Sequence, residues 1–404
     1  MSKVGFVTNA FLDTHGKVFG GGAERHLYQL MRLTADTGAE PVLYQPADER
    51  SSSELDGIVV RLLPERPSAI WTAGCRQAVA DGCHFVHYQN FPRPWQVASD
   101  LSATATQHGI YWDVPFEPRA REWYPIPAFA RVTLPWWRRV ERHSTLALMG
   151  RLHSVLATDS GFLRLVQAYR PELRHKVHVA LNFSDLPDGE VNNEPMDSPG
   201  IGRLVAAREA GRTIVLVPRN LSLVRGIWWL PDIVEQVLTK TGPLVTFAVT
   251  GVNVPFYGGA SRYEKALAAR LNSATPDARA AIQLLGGIPH PSMVSAYRLS
   301  DIVLIPTFAH EGTPLAAIEA MALARPVVAT NIGGLNDILD DRFTGMLVRP
   351  SIGDIAGAII DLIEHPDLRK TLGFNAQIKA RACLTLDSWR QQVRPFIESS
   401  GWSS

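Results

Sequence analysis

The sequence predicts an α/β protein of two domains, each a parallel sheet with helices on both faces. Three observations point there. Short apolar runs rich in β-branched residues alternate with helical stretches along most of the chain, the pattern of strands joined by crossover helices. Residues 182–199, NFSDLPDGEVNNEPMDSP, form a polar, acidic, turn-rich linker, and the alternation restarts after it. At 404 residues the chain is long enough for two or three domains with full cores.

In chain order, residues 4–8 read as the first strand, and a polar loop leads through Gly20, Gly21 and Gly22 into a helix over 23–33. Glycines ahead of a helix let the backbone approach a phosphate or sugar, since no Cβ intervenes. GGGAER is not a GxGxxG pattern, and a glycine-rich surface turn explains it equally well. Strands follow at 41–45, 57–63, 84–88, 103–107, 154–157 and 177–181, with a helix at 71–80. His108 directly follows the strand over 103–107, at the carboxyl end where open α/β sheets gather ligands; a structural role is the alternative. Residues 91–142 break the pattern with Trp95, Trp112, Trp123, Trp136 and Trp137, seven arginines and several prolines. Such an excursion suits an acceptor-binding loop, a patch over 112–142 resting on anionic lipid headgroups, or a packed segment with a solvated basic rim.

Past the linker, strands are expected at 213–217, 244–250, 282–285, 302–307 and 326–330, with helices at 227–238, 292–299, 354–364, 368–381 and 387–399. Arg219 and Arg225 lie in PRNLSLVRG, at the carboxyl end of the first of these strands. Two permanently charged, bidentate donors there suit a pyrophosphate, or are ordinary surface arginines. Gly287 follows Gly286 after the strand IQLL and would let a planar base approach, or marks a simple turn.

The most informative stretch is 301–334, DIVLIPTFAHEGTPLAAIEAMALARPVVATNIGG, which reads as strand, loop, helix, strand, turn. Thr313 is the expected cap and Pro314 the first helical residue. The helix is apolar on every face yet carries Glu319, and a buried carboxylate needs partners. Glu311 stands at the helix mouth, and the amides of Gly312, Thr313 and Leu315 lie where a helix N-terminus attracts an anion. A ligand with a phosphate between two sets of hydroxyls, such as a nucleotide-sugar, fits that layout. The alternative pairs Glu319 with a core arginine and leaves Glu311 solvated.

Composition narrows the classes. Forty basic against 39 acidic side chains leave a net charge of +1, without the basic excess of a nucleic-acid binder. Three cysteines with no C-x-x-C pair argue against a disulfide framework or a zinc site. MSKVGFVTNAF reads as a buried strand and not a signal peptide, so a cytoplasmic protein is expected, at most peripheral on the inner face of a membrane.

The stretch HEGTPLAAIEAMALARPVVATNIGGLNDIL resembles the signature of retaining glycosyltransferases of family 4, including the spacing of its two glutamates. GGGAERH, NFSD, VPRNLSLVRG and DDRFTGMLVRP extend the likeness over most of the chain, most specifically in the C-terminal half. The resemblance implies the GT-B fold, two Rossmann-like doubly wound domains facing across a cleft. It places an acceptor-binding domain at 1–185, a linker at 186–199, a nucleotide-sugar domain at 200–385, and a segment at 386–404 that crosses back to the first domain. It further implies that Glu311 binds donor-sugar hydroxyls, Glu319 the ribose, Arg219 and Arg225 the diphosphate, and that His108 stands near the transferring sugar. Gly21 and Gly22 match its glycine-rich loop. Thr313-Pro314 and Ala324 depart from the pattern, which often has Phe-Gly at the mouth and a glycine where the helix ends, and Arg225 stands where lysine is more usual.

The implied reaction moves a sugar from a nucleoside-diphosphate sugar to the hydroxyl of an undetermined acceptor, with retention of configuration. No D-x-D motif is present, which agrees with transfer without a metal or other cofactor. A sugar-nucleotide epimerase or hydrolase of the same fold is the alternative enzyme, and a non-catalytic sugar-phosphate-binding partner subunit the alternative outside catalysis.

Overall fold

The computed structural model describes residues 2–12, 16, 18, 21–97, 101–110, 128–186, 198–251 and 260–402. Trp112, Trp123, Arg119 and Arg121, and most of the expected linker, lie outside them. Two compact units share the described chain: the first holds residues up to 110, 128–182 and 387–402, and the second holds 183–386.

The first unit is built on β1 (Lys3–Val7), β2 (Glu40–Ala47), β3 (Ser51–Leu55), β4 (Ile58–Pro64), β5 (Phe85–Tyr88), β6 (Ser102–Gln107), β7 (Ser154–Ala157) and β8 (Val177–Val179). They form one sheet in the order β3-β4-β2-β1-β5-β6-β7-β8. Its pairs are parallel except β3 with β4. Helices α1 (Gly22–Asp36), α2 (Ile70–Ala80), α3 (Ala128–Arg151) and α4 (Ser160–Tyr169) link the strands. The apolar runs of the central strands, with Val7, Val86, Tyr88, Val155 and Ala157, are buried against Phe162 and Val166 of α4 and Met149 of α3, as expected of strands covered on both faces.

The second unit is a six-stranded parallel sheet of β9 (Thr213–Pro218), β10 (Val245–Thr250), β11 (Ile282–Gly286), β12 (Ile302–Ile305), β13 (Val327–Thr330) and β14 (Met346–Val348), in the order β11-β10-β9-β12-β13-β14. Its helices are α5 (Pro199–Glu209), α6 (Leu230–Thr241), α7 (Ala260–Asn272), α8 (Pro276–Ala281), α9 (His290–Leu299), α10 (Leu315–Ala322), α11 (Leu335–Ile338), α12 (Ile352–Glu364) and α13 (Pro366–Cys383). The last helix, α14 (Leu386–Ser399), joins the first unit almost entirely. Its Phe396 meets Trp402 edge-on at 5.4 Å, and Trp402 meets Phe6 of β1 at 5.5 Å. The expected fold class, two parallel-sheet α/β units, is what forms.

Each sheet reverses its winding once. In the first the chain starts at β1, runs outward through β2, and returns to β5 on the other side of β1. In the second it starts at β9, runs out through β10 and β11, and returns to β12 beside β9. The loops leaving these strands at their carboxyl ends diverge and leave a crevice, the general place for a ligand in open α/β sheets. The candidate residues cluster at those two points.

Two local expectations are corrected. β3 was not expected, because SSSEL is polar and lies exposed at the sheet edge. Its signal was Asp56-Gly57, both in the left-handed region at φ 49° and 80°, a two-residue hairpin turn. Helix α10 begins one residue later than predicted, with Pro314 itself, and not Thr313, in the cap position.

After α10 the chain turns at Ala324, which adopts φ 56° where a glycine avoids strain. Its amide bonds Met321 O at 3.0 Å, Arg325 N bonds Ala320 O at 2.8 Å, and Gly373 of α13 packs against the Ala324 carbonyl so closely that a Cβ would collide. Ala324→Gly relieves the left-handed penalty and is expected to stabilise the protein by about 1 kcal/mol. Urea unfolding checks this; an unchanged or lower midpoint would count against strain at that turn.

Candidate active site

In the second unit the site grows from the β9 and β12 loops. Pro218 ends β9 and Arg219 follows with only 6% of its surface exposed. A charge so placed requires a counter-charge. Glu311, 8% exposed, supplies it, accepting from Arg219 Nη2 at 2.7 and 2.8 Å through its two oxygens. Arg225 Nη1 pairs with the same carboxylate. Burial pushes the Arg219 guanidinium down to about 10, still charged at neutral pH. Two arginines and one glutamate leave the cluster one positive charge. The buried Nε of Arg219 has no hydrogen-bond partner among the described residues.

Close backbone packing holds these loops. Gly226 is left-handed at φ 79°, and a Cβ there would strike the Pro306 carbonyl. Phe308 N and Thr307 Oγ1 both bond Val224 O, at 3.1 and 2.8 Å. Gly334 N bonds Glu311 O at 2.9 Å, and a Cβ on Gly334 would lie 2.5 Å from Thr313 N. Gly312, Thr313, Pro314 and Leu315 are therefore buried in a loop clasped from the next β-turn, not a solvated one.

Glu319, 4% exposed, finds partners other than arginine. Tyr297 OH donates to Oε2 at 2.8 Å and His290 Nε2 lies 3.2 Å from Oε1. Both come from α9, seven residues apart and hence on one helix face. Asp185 Oδ1 lies 3.9 Å from His290 Nε2. Among the described residues, Asp185, His290 and Glu319 have the spacing to ligate a cation. A His290 Nε2–H that donates to Glu319, however, has no lone pair for a metal. Gly287 is exposed, three residues before His290, just past β11.

In the first unit His108 stands at the carboxyl end of β6, next to Gln89, which follows β5. Gln89 Nε2 lies 2.8 Å from His108 Nε2 and 2.5 Å from the Ala23 carbonyl of α1. Gly21 caps α1, and a Cβ there would collide with the Glu24 carboxylate, which burial raises above its usual range; Gly22, exposed, opens the helix. His26 meets His108 edge-on at 5.1 Å and Trp389 of α14 at 5.2 Å. Burial pushes His108 down to about 4, against the attraction of Asp159 and the Gln89 carbonyl. It pushes His87 to about 3 and His26 well below its ordinary value. Tyr297, His290, Gln89 and His26 were not singled out from the sequence: each is a lone polar residue on an apolar element, and only spatial pairing reveals it.

The depressed histidines set a pH dependence. Unfolded, they take up protons near 6.5; folded, His108 and His87 wait until about 4 and 3. The unfolded chain thus binds more protons below 6.5, and stability is lost as pH falls through that window, by up to about 1.4 kcal/mol per unit for each histidine. Urea midpoints should drop between pH 7 and pH 5, and His108→Asn should remove one histidine's share. Equal midpoints at both values would contradict the buried, neutral rings.

Residues 211–365 match the family described as glycosyl transferases group 1. The α-D-kanosaminyltransferase of Streptomyces kanamyceticus is 25% identical over 285 residues, covering 69% of this chain and 67% of the relative. A D-inositol 3-phosphate glycosyltransferase of Paenarthrobacter aurescens is 39% identical over 117 residues, covering 26% and 28%. The chain therefore spans only about a quarter of the length of that second relative. Among solved structures, sucrose-phosphate synthase from Thermosynechococcus elongatus superposes with a TM-score of 0.73 at 16% identity over the whole of both chains. HepE from Anabaena, in complex with UDP and glucose, does so at 0.69 and 18%, over 99% of this chain and 100% of that one. These likenesses carry the fold, and the family match covers most of the second unit. Residues 211–365 of the second unit are thus similar to the group 1 glycosyltransferases, and the chain as a whole has the two-unit α/β GT-B fold of these solved structures.

Proposed function

We propose that this chain transfers a sugar from a nucleoside-diphosphate sugar to an acceptor hydroxyl with retention of configuration, as a family 4 enzyme, without a metal or other cofactor. The observation that carries the reading is the buried Arg219 at the sheet reversal, with an unpartnered Nε and a second arginine on the same carboxylate. As the sugar–phosphate bond breaks, negative charge builds on the leaving diphosphate. Arg219 and Arg225, already oriented by Glu311 in a low-dielectric pocket, stabilise that charge without reorganising. Glu311 keeps acceptor capacity for a sugar hydroxyl. Glu319, aligned by Tyr297 and His290, accepts from the ribose hydroxyls. Gly312, Thr313, Pro314 and Leu315 form the wall beside the phosphates, and Gly287 lies in the loop that faces the base.

His108 is a contact to the transferring sugar and Gly21 and Gly22 lie near the phosphates and acceptor; these assignments rest on the family's pattern. The leaving phosphate takes the acceptor proton, which requires no protein nucleophile. HepE, solved both with UDP and glucose and with UDP-glucose, supports a nucleotide-sugar donor. No feature favours an epimerase, a hydrolase or a non-catalytic subunit over transfer.

The acceptor side includes an exposed aromatic patch. Trp136 and Trp137 of α3 are 65% and 47% exposed, and Trp95 75%. Arg139 is exposed beside them. Aromatic rings with arginine suit an anionic lipid interface, and no helix among the described residues is long and apolar enough to cross a membrane. The reading is a peripheral contact through 112–142, on a cytoplasmic membrane face. Vesicles of phosphatidylglycerol should pellet the wild type and lose Trp136→Glu; equal pelleting would reject the contact.

The central test separates the two roles in the second unit. With a panel of nucleoside-diphosphate sugars and EDTA present, Arg219→Ala should lower kcat about a hundred-fold with nucleotide affinity changed far less. Glu319→Ala should weaken nucleoside diphosphate binding about ten-fold. Unchanged turnover in the first variant sinks the charge argument, and a wild type silent until magnesium is added sinks the metal-free one.

A further inference from the structure

We infer that Gln89 is a positioning residue that fixes the His108 proton on Nδ1, making His108 a neutral hydrogen-bond donor and not a base. The argument is one of hydrogen-bond polarity. The Ala23 main-chain carbonyl can only accept, so the Gln89 side-chain atom 2.5 Å from it is the amide nitrogen and not the oxygen. That nitrogen carries two hydrogens. One goes to Ala23 and the other faces His108 Nε2 at 2.8 Å. An imidazole nitrogen facing a donor must offer its lone pair, so Nε2 is bare and the ring's one proton sits on Nδ1.

The same contact opposes a charged ring. Protonating Nε2 would bring an N–H against the Gln89 N–H at hydrogen-bond distance, and Gln89 is 2% exposed, with little room to turn away. Turning it would also place its oxygen against the Ala23 carbonyl.

The surroundings act in the same direction. His26, on α1, presses edge-on against the His108 ring and is fully buried, with no partner for either ring nitrogen among the described residues. His87 on β5 is close enough to feel His108 electrostatically, but its own nitrogens are occupied by Thr104 and Thr106 at 2.9 and 2.8 Å. Asp159, ahead of α4, and the Gln89 main-chain carbonyl attract a charge on His108, and Asp159 is engaged in capping α4 through Phe162 N at 3.1 Å. Burial outweighs that attraction.

For transfer, which rests on the function proposed above, the only hydrogen His108 can give a sugar oxygen is Nδ1–H. With Nε2 occupied and the ring neutral, His108 holds an oxygen in place and leaves the acceptor proton to the departing phosphate.

The test reads the tautomer directly. The full chain, labelled with ¹⁵N-histidine and free of ligand at pH 7, should show His108, assigned by its loss in His108→Asn, protonated at Nδ1 and bare at Nε2. In Gln89→Leu the ring should shift toward Nε2 protonation while the His26 and His87 signals persist, and kcat should fall roughly ten-fold with donor KM moved less than two-fold. Gln89→Glu places an acceptor opposite Nε2, so the ring should charge more easily and the acid limb of the pH–rate profile should move upward by about one unit. A wild-type His108 protonated at Nε2 overturns the inference even if the variants do not fold; so does a Gln89→Leu ring that stays on Nδ1. Absence of turnover with every nucleotide-sugar, beside the expected spectra, would sink the transfer reading and leave the assignment of Gln89 standing.

Discussion

The second unit depends on burying two opposite charges together, with a third, half-buried one beside them. Arg219 and Glu311 are each almost wholly withdrawn from water, Arg225 shares the Glu311 carboxylate, and removing Glu311 costs about 3–5 kcal/mol because the buried Arg219 is stranded. The pairing thus ties the end of β9 to the loop after β12, the two strands between which the sheet reverses. Much of the local backbone serves that pairing. Gly226 is left-handed because Pro306 leaves no space for a side chain, and Gly334 lies against Gly312 and Thr313 for the same reason. The residual positive charge that results is held at the mouth of the crevice, which is what the proposed transfer asks of it.

The first unit solves the opposite problem. Its candidate residues are histidines, and burial keeps them neutral. A charged ring would bring a competing proton to this end of the first sheet. Neutral imidazoles supply directional donors without that liability. The C-terminal helix contributes Trp389 to this wall, packing on His26, so the last part of the chain helps keep water from a site formed by the first.

Much of the fold was legible because buried parallel strands leave continuous apolar runs, as in TIVLVP, VTFAVT and IVLI. What stayed hidden was structure that buries little: β3 lies on an edge with four of its five residues exposed, and only its Asp-Gly turn betrays it. The site divides similarly. Glu311, Glu319, Arg219 and Arg225 were visible because charge in an apolar context is anomalous in any sequence. The alternative that pairs Glu319 with a core arginine and leaves Glu311 solvated is not what forms: Arg219 and Arg225 pair with Glu311, while Glu319 meets Tyr297 and His290 of α9. Periodicity along a helix shows which residues share a face, as His290 and Tyr297 do, but not which carboxylate on another helix that face will meet.

The Thr313-Pro314 mouth clarifies why two arginines stand where they do. A proline in the cap position brings no N–H, so α10 offers an anion one donor fewer than most helix termini. Pro314 supplies no side-chain cap either, and the Thr313 amide lies close under Gly334. The helix end therefore provides a field but few hydrogen bonds. The missing donors come from the opposite loop, where guanidinium groups carry five N–H each in a fixed plane. Arginine at 225 in place of a lysine adds directed donors on the same carboxylate as Arg219. A point charge there would neutralise Glu311 equally well, but it would not orient a departing diphosphate whose helix-borne contacts have been thinned.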